Sequence, residues 1–255
     1  MSKVHDASVY GDEYAKIYHI IKNSIPNRTW SILANQIANG SSVLEFGSAN
    51  GYMTRYLKEE LGCKICIAEI DPIAAKKASR YATDCFIGDI ETCKWANQWK
   101  NKKFDVILFA DVLEHLRQPE KVLQVIRSYL HPEGVILASI PNICHNSVLI
   151  ELWNNRFNYT KTGLLDKTHL RFFCEESAKN LFTSNGFEIT HLKHIRIKKA
   201  EIKNSLKDVP WIMRKSLKKR KNANTYQFVI TAKLEKKPHP QNLWVDSGSG
   251  SPPIV

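Results

Sequence analysis

Apolar positions along the chain change period several times, and each change predicts an element. Tyr14, Ile17, Tyr18 and Ile21 recur at helical spacing within residues 8–38, with a break at Pro26 and a second helical pattern from Trp30 to Ile37. After the turn cluster Asn39-Gly40-Ser41-Ser42, the run Val43–Phe46 predicts a short buried strand. It enters a turn of small residues, Gly47-Ser48-Ala49-Asn50-Gly51, followed by a helix through Leu61. The alternation then continues with strand Lys64–Ile70, helix Pro72–Tyr81, strands Cys85–Ile87 and Phe104–Phe109, helix Pro119–Leu130 and strand Gly134–Ile140. A helix from Glu175 to Asn185 precedes the closing strands Phe187–Ile197 and Thr225–Leu234. Strands alternating with helices require crossovers, which predicts an α/β fold with a doubly wound, mainly parallel sheet and helices on both faces.

Residues 142–173 break this rhythm with a long aromatic and polar segment directly after a strand, where α/β sheets cover their ligands. The expected organisation is N-terminal helices over the ligand crevice (1–40) and one domain (41–236) carrying that segment and a basic insertion (198–221). The Gly/Ser/Pro-containing tail, 237–255, is expected to be disordered. At 255 residues, 43% hydrophobic and 24% charged, the chain has the material for one large core. No apolar run reaches the roughly 20 residues of a membrane-spanning helix. The N-terminus lacks the apolar centre of a secretory signal, so a cytoplasmic location is expected. The six cysteines, Cys63, Cys66, Cys85, Cys93, Cys144 and Cys174, follow no disulfide framework and are read as free thiols.

The formal charge of +12 suggests nucleic acid until it is mapped. Residues 1–192 carry 22 Lys and Arg against 21 Asp and Glu, whereas residues 193–237 carry 15 against 3. Basicity is therefore a local property of the C-terminal stretch. Within 198–221, Ile202, Leu206, Val209, Trp211, Ile212, Met213 and Leu217 alternate with lysines and arginines. Such a helix can pack one face on the protein and expose the other, contact an anionic membrane, or bind RNA.

The turn Glu45-Phe46-Gly47-Ser48-Ala49-Asn50-Gly51 can bring backbone N–H groups and a helix N-terminus close to a carboxylate or phosphate. It is not the dinucleotide fingerprint, because Ala49 and Tyr52 stand where later glycines belong. Glu69, at the end of the second strand, can accept both hydroxyls of a ribose, while Asp71 fits a helix cap. Asp89 and Ile90 follow the third strand, offering an acceptor for an adenine amino group and an apolar wall.

Together with Ala110-Asp111-Val112-Leu113-Glu114-His115-Leu116 and Leu130-His131-Pro132-Glu133-Gly134, these segments resemble class I S-adenosylmethionine-dependent methyltransferases over residues 43–140. The resemblance implies a seven-stranded sheet with an antiparallel last strand and S-adenosyl-L-methionine as cofactor. It places Glu45, Gly47, Ser48, Ala49 and Gly51 at the methionine portion, Glu69 at the ribose, Asp89 and Ile90 at the adenine, and Ala110 and Asp111 beneath the sulfonium, with Ile70 also at the cofactor. A glycine is common in the family where Ala49 stands, and only a slight loop shift is expected. The segment Gly163–Phe173, containing Asp166, His169 and Arg171, resembles a subgroup associated with bacterial surface-glycan and secondary-metabolite pathways.

Methyl transfer is an in-line displacement, in which the protein mainly aligns the acceptor and excludes water. A hydroxyl acceptor also calls for a base, and His169 and His115 are the candidates, with Asp166 or Glu114 to orient them. No metal site is expected, since Asp166 and His169 lack a third ligand in the sequence. The expected reaction is O-methylation of a glycan, lipid-linked or small-molecule acceptor, with peripheral contact to an anionic membrane through the basic insertion. The rival readings are an RNA or protein methyltransferase and a non-catalytic S-adenosylmethionine-binding protein. RNA is disfavoured because the positive charge is not spread around the acceptor segment.

Overall fold

The computed structural model describes residue 23 and residues 28–196 and 209–236. The expectations for residues 1–22 and 24–27, for 197–208 and for the tail 237–255 lie outside the described residues.

The elements run α1 (Thr29–Ala34), β1 (Ser42–Phe46), α2 (Tyr52–Glu59), β2 (Lys64–Glu69), α3 (Pro72–Ala78), β3 (Asp84–Ile87), α4 (Trp95–Gln98) and β4 (Phe104–Ala110). They continue with α5 (Pro119–Ile126), β5 (Leu130–Pro141), α6 (Asn146–Trp153), α7 (Glu175–Thr183), β6 (Phe187–Ile195), α8 (Trp211–Lys219) and β7 (Gln227–Leu234). One seven-stranded sheet has the order β3-β2-β1-β4-β5-β7-β6. Pairing is parallel from β3 through β5, and β7 lies antiparallel between β5 and β6. The order reverses at β1 and β4, which opens a crevice at their carboxyl ends.

The central strands are apolar on both faces because both are covered. Along β4, Val106, Leu108 and Ala110 join the apolar layer containing Leu33, Val43, Leu57 and Leu137. Ile107 and Phe109 point the other way, into a layer with Phe46, Trp95, Trp99, Phe182 and Phe228. Phe46 stacks on Phe109 at 4.8 Å and meets the edge of Trp95 at 5.0 Å. Phe46 and Phe109 lie near the carboxyl ends of β1 and β4, with Trp95 of α4 against them, so this packing holds the strand ends that carry the polar residues. The edge strand β6 instead alternates buried and exposed positions, as a half-solvated strand should.

Several boundaries differ from expectation. The helix starting at Pro119 ends at Ile126, because Leu130 already pairs with Phe104 and opens a long β5. Within 142–173 the chain forms α6, whose first turn is capped by His145 accepting from the Ser147 N–H at 3.2 Å. The basic insertion forms α8, with Leu217 and Val209 packed against Ile150 of α6. No helix among the described residues is long and apolar enough to cross a membrane.

Candidate active site

The carboxyl ends of β1, β2 and β3 gather the residues expected to hold a nucleotide. Gly47 and Gly51 have φ of +69° and +80°. A Cβ at Gly47 would lie 2.6 Å from Val112 Cγ2, and one at Gly51 would lie 2.5 Å from Ala78 Cα. The glycines are thus required by the packing of the turn onto its neighbours, a reason additional to ligand approach. Ala49 takes the left-handed region as well, at φ +46°, so the departure from glycine is accommodated by backbone strain.

Glu69 holds this turn in place. Its Oε2 accepts from the Ala49 N–H at 2.7 Å and its Oε1 from the Asp71 N–H at 3.0 Å, while the side chain is buried. Each oxygen retains acceptor capacity toward the crevice. Asp71 caps α3, accepting from the N–H groups of Ile73 and Ala74, with Pro72 at the first helical position. Asp89 caps the short helical turn after β3 by accepting from the Glu91 N–H at 2.8 Å. Ile70 is exposed beside Glu69, and Ile90 is buried next to Asp89. Glu45 is buried, accepts from Thr54 Oγ1 at 2.7 Å and is lifted to about 7. Burial causes most of that rise, the Thr54 bond opposes it and the Glu69 charge adds to it.

Two buried polar atoms of the turn, Ser48 Oγ and Asn50 Oδ1, have no protein hydrogen-bond partner. A hydroxyl and an amide oxygen two residues apart in one turn, both without a partner among the described residues, suit an amino-acid head group, which brings a carboxylate to receive and an ammonium to donate. The turn therefore fits the methionine portion of S-adenosylmethionine. Asn50 was not singled out from the sequence, where it reads as a turn residue.

At the end of β4, Asp111 occupies the left-handed region at φ +57°. It accepts from Ser139 Oγ at 2.8 Å and from Gln227 Nε2, and Gln227 in turn accepts from Thr29 Oγ1. This network joins β4, β5, β7 and α1. Burial raises Asp111 to about 6 against the lowering effect of the Ser139 and Gln227 bonds. Thr29, Ser139 and Gln227 were not expected in the site; the pairing of β5 beside β4 brings Ser139 there, that of β7 beside β5 brings Gln227, and Thr29 follows by its bond to Gln227.

Beyond Val112, which packs on Gly47, a helical turn at Leu113–His115 meets the 142–173 segment. The N–H groups of Leu170 and Arg171 donate to the Glu114 carbonyl at 2.8 and 2.9 Å. The His115 and His169 rings meet edge-to-face at 4.8 Å. His115 Nδ1 lies 3.2 Å from both the carbonyl oxygen and the hydroxyl of Thr168, and that hydroxyl donates to Asp166 Oδ1 at 2.7 Å. Asp166 thus reaches His115, one of the two histidines the sequence offered it, through Thr168. His169 Nδ1 lies 3.3 Å from the Leu164 carbonyl. Burial lowers the basicity of His169, partly opposed by Asp166 and the Leu164 bond. The Glu114 carboxylate is buried and neither oxygen has a hydrogen-bond partner. Glu114, His115 and His169 place one ligand atom each within 4.8 Å of one another, a grouping the spacing along the chain did not reveal.

From His169 a series of rings leads outward. His169 meets Phe172 at 6.3 Å, Phe172 meets Phe157 at 6.2 Å, and Phe157 meets Tyr159 at 5.5 Å. Phe157, Tyr159 and Phe172 are exposed, as are Trp153 and Leu170 of the same segment.

A family model described as a methyltransferase domain matches residues 23–192. No curated protein matches the chain. Among solved structures, a chain from the complex of the Haloferax volcanii Trm112 methyltransferase activator with a methyltransferase has a TM-score of 0.59 at 15% identity. The match covers 93% of this chain and 100% of that one. A SAM-dependent methyltransferase from Archaeoglobus fulgidus gives 0.56 at 16% identity, covering 81% and 94%. The magnesium protoporphyrin IX methyltransferase of Synechocystis, solved with bound SAH, gives 0.56 at 13% identity, covering 90% and 95%. At these identities the structures speak for the fold alone.

Proposed function

Because the chain belongs to the methyltransferase-domain family and is an S-adenosylmethionine-dependent enzyme, we propose that it O-methylates a glycan or small-molecule acceptor seated against His115 and His169. The cofactor supplies an electrophilic methyl group on a sulfonium. The chain's own residues bind and orient. The turn Gly47–Gly51, with Ser48 and Ala49, receives the methionine portion, and Glu45 beneath it braces α2 through Thr54. Glu69 and Ile70 take the ribose, Asp89 and Ile90 the adenine, and Ala110 with Asp111 forms the floor.

The observation that carries the acceptor reading is the histidine pair formed by His115, three residues beyond Val112, and His169 of the 142–173 segment, with exposed rings leading away from it. His169, kept neutral by burial, is suited to take a hydroxyl proton. His115 is the second candidate, and Asp166 orients it through Thr168. Aromatic rings at the mouth suit the apolar faces of sugar rings or a lipid-linked acceptor. Incubation of enzyme and methyl-labelled cofactor with candidate acceptors, read by intact mass, tests this. A labelled gain of one methyl on a hydroxyl supports it, and a gain confined to RNA or protein overturns it.

We also assign peripheral contact with an anionic membrane to α8, because Trp211 and Ile212 are 71% and 61% exposed while Leu217 and Val209 are packed inward. That division leaves an apolar edge beside Lys215, Lys218 and Lys219, a composition suited to a headgroup boundary. Sedimentation with anionic but not neutral vesicles, reduced by salt and by Trp211→Ala, is the expected result. Failure to bind at low salt, or complete competition by RNA with no effect of Trp211→Ala, would contradict it.

A further inference from the structure

We propose that Glu114, His115 and His169 form a binding site for a divalent transition-metal cation. The first observation is the Glu114 side chain, 1% exposed with both carboxylate oxygens lacking a hydrogen-bond partner. An ionised carboxylate buried in this way is costly unless a cation stands beside it. A protonated one would need an acceptor for its O–H, and neither oxygen has one. Neither charge state is satisfied by the described residues alone.

The second observation is the way both histidines are held. His115 Nδ1 faces the Thr168 carbonyl, and it also faces the Thr168 hydroxyl, whose own proton goes to Asp166. Both neighbours can accept from the ring, which favours the tautomer with the proton on Nδ1. His169 Nδ1 likewise faces the Leu164 carbonyl. With Nδ1 so engaged, the ligand nitrogen of each ring would be Nε2. A backbone carbonyl on one imidazole nitrogen is the arrangement that orients and strengthens a histidine ligand on the other. The chain Asp166–Thr168–His115 adds a carboxylate behind it.

The third observation is distance. The three ligand atoms all lie within 4.8 Å of one another. Ligands of a tetrahedral zinc ion at bonds of about 2.1 Å stand about 3.4 Å apart, so closing by up to about 1.4 Å, within reach of side-chain rotation, completes the set. Two imidazoles and one carboxylate suit zinc, cobalt or nickel, while magnesium prefers oxygen alone. A fourth position remains for solvent or an acceptor oxygen. This inference rests on the acceptor reading only for its use: a hydroxyl bound there would be acidified and release its proton to water. His115 and His169 would then serve as ligands rather than bases.

The test is Co²⁺ titration of chelator-treated, tag-free protein, followed by visible absorption, with Zn²⁺ competition. One cobalt per chain is expected, with ligand-field bands displaced by Zn²⁺. Glu114→Gln and His169→Gln should each weaken cobalt binding by at least about 10-fold, with S-adenosylhomocysteine affinity retained. Glu114→Gln leaves no protein hydrogen bond broken, and if it does not fold, the half-buried His169→Gln decides. No cobalt spectrum, or an unchanged affinity in the folded variants, overturns the metal site. Loss of methyl transfer to every hydroxyl acceptor with cobalt binding intact would instead overturn the acceptor reading.

Discussion

Ala49→Gly measures the strain stored in the cofactor turn. At φ +46° an L-residue other than glycine costs roughly 1–2 kcal/mol, because Cβ crowds the following carbonyl. Glycine removes that cost but gives the unfolded chain extra freedom worth about 0.4–1 kcal/mol. The difference, about 0–1.6 kcal/mol, predicts a net stabilisation centred on about 0.8 kcal/mol. For a domain of this size that corresponds to a rise in Tm of roughly 1–4 °C. The backbone N–H of residue 49 still donates to Glu69, so cofactor affinity should change by less than about threefold, since no hydrogen bond is lost. Differential scanning fluorimetry without ligand and calorimetry with S-adenosylhomocysteine read the two quantities separately. A fall in Tm, or a loss of affinity beyond about 10-fold (~1.4 kcal/mol), would show that the methyl group makes contacts that outweigh the strain.

Glu69→Ala should weaken cofactor binding by about 1–3 kcal/mol, or roughly 5- to 150-fold by calorimetry, and should also lower Tm by freeing the Ala49 and Asp71 N–H groups. His169→Ala should lower kcat by about 100-fold while leaving cofactor affinity nearly unchanged; near-normal turnover would return His169 to a structural role. His145 is held down to about 4, first by burial and then by the Arg220 charge, so between its ordinary 6.5 and 4 the unfolded chain takes the proton first. Its contribution to stability is therefore lost as pH falls through that window, and a His145→Gln variant should lose less stability than the parent on going from pH 7 to pH 4 in urea titrations. Asp111 and Glu45, raised to about 6 and about 7, act in the opposite sense, because the folded chain protonates them first and gains stability as pH falls toward their unfolded values. Asp111→Asn should remove its share of that gain.

The crossover architecture was legible because each central strand is a short, wholly apolar run followed by turn residues, and Gly47, Glu69 and Asp89 fall at successive strand ends. The end of α5 was not, since apolar residues continue to Leu130 and only pairing with Phe104 turns that residue into a strand. Helix α6 was hidden by its His145 cap, a residue outside the usual capping set. The cofactor residues could be read locally, whereas the acceptor cluster could not. Glu114 and His169 are separated by a strand, two helices and a long connection, and nothing in their spacing shows that the Leu170 and Arg171 N–H groups fold back onto the Glu114 carbonyl. Gln227 belongs to Asp111 only through the antiparallel register of β7.

The central claim is that the strand ends carrying Gly47, Glu69 and Asp89 bind the methyl donor. Isothermal titration of the protein with S-adenosylmethionine tests it most directly. One molecule per chain is expected, with a dissociation constant in the roughly 1 μM to 1 mM range usual for enzyme ligands, and Glu69→Ala with Asp89→Ala should abolish the heat. No binding at millimolar cofactor, or undiminished binding in the folded double variant, would contradict the account.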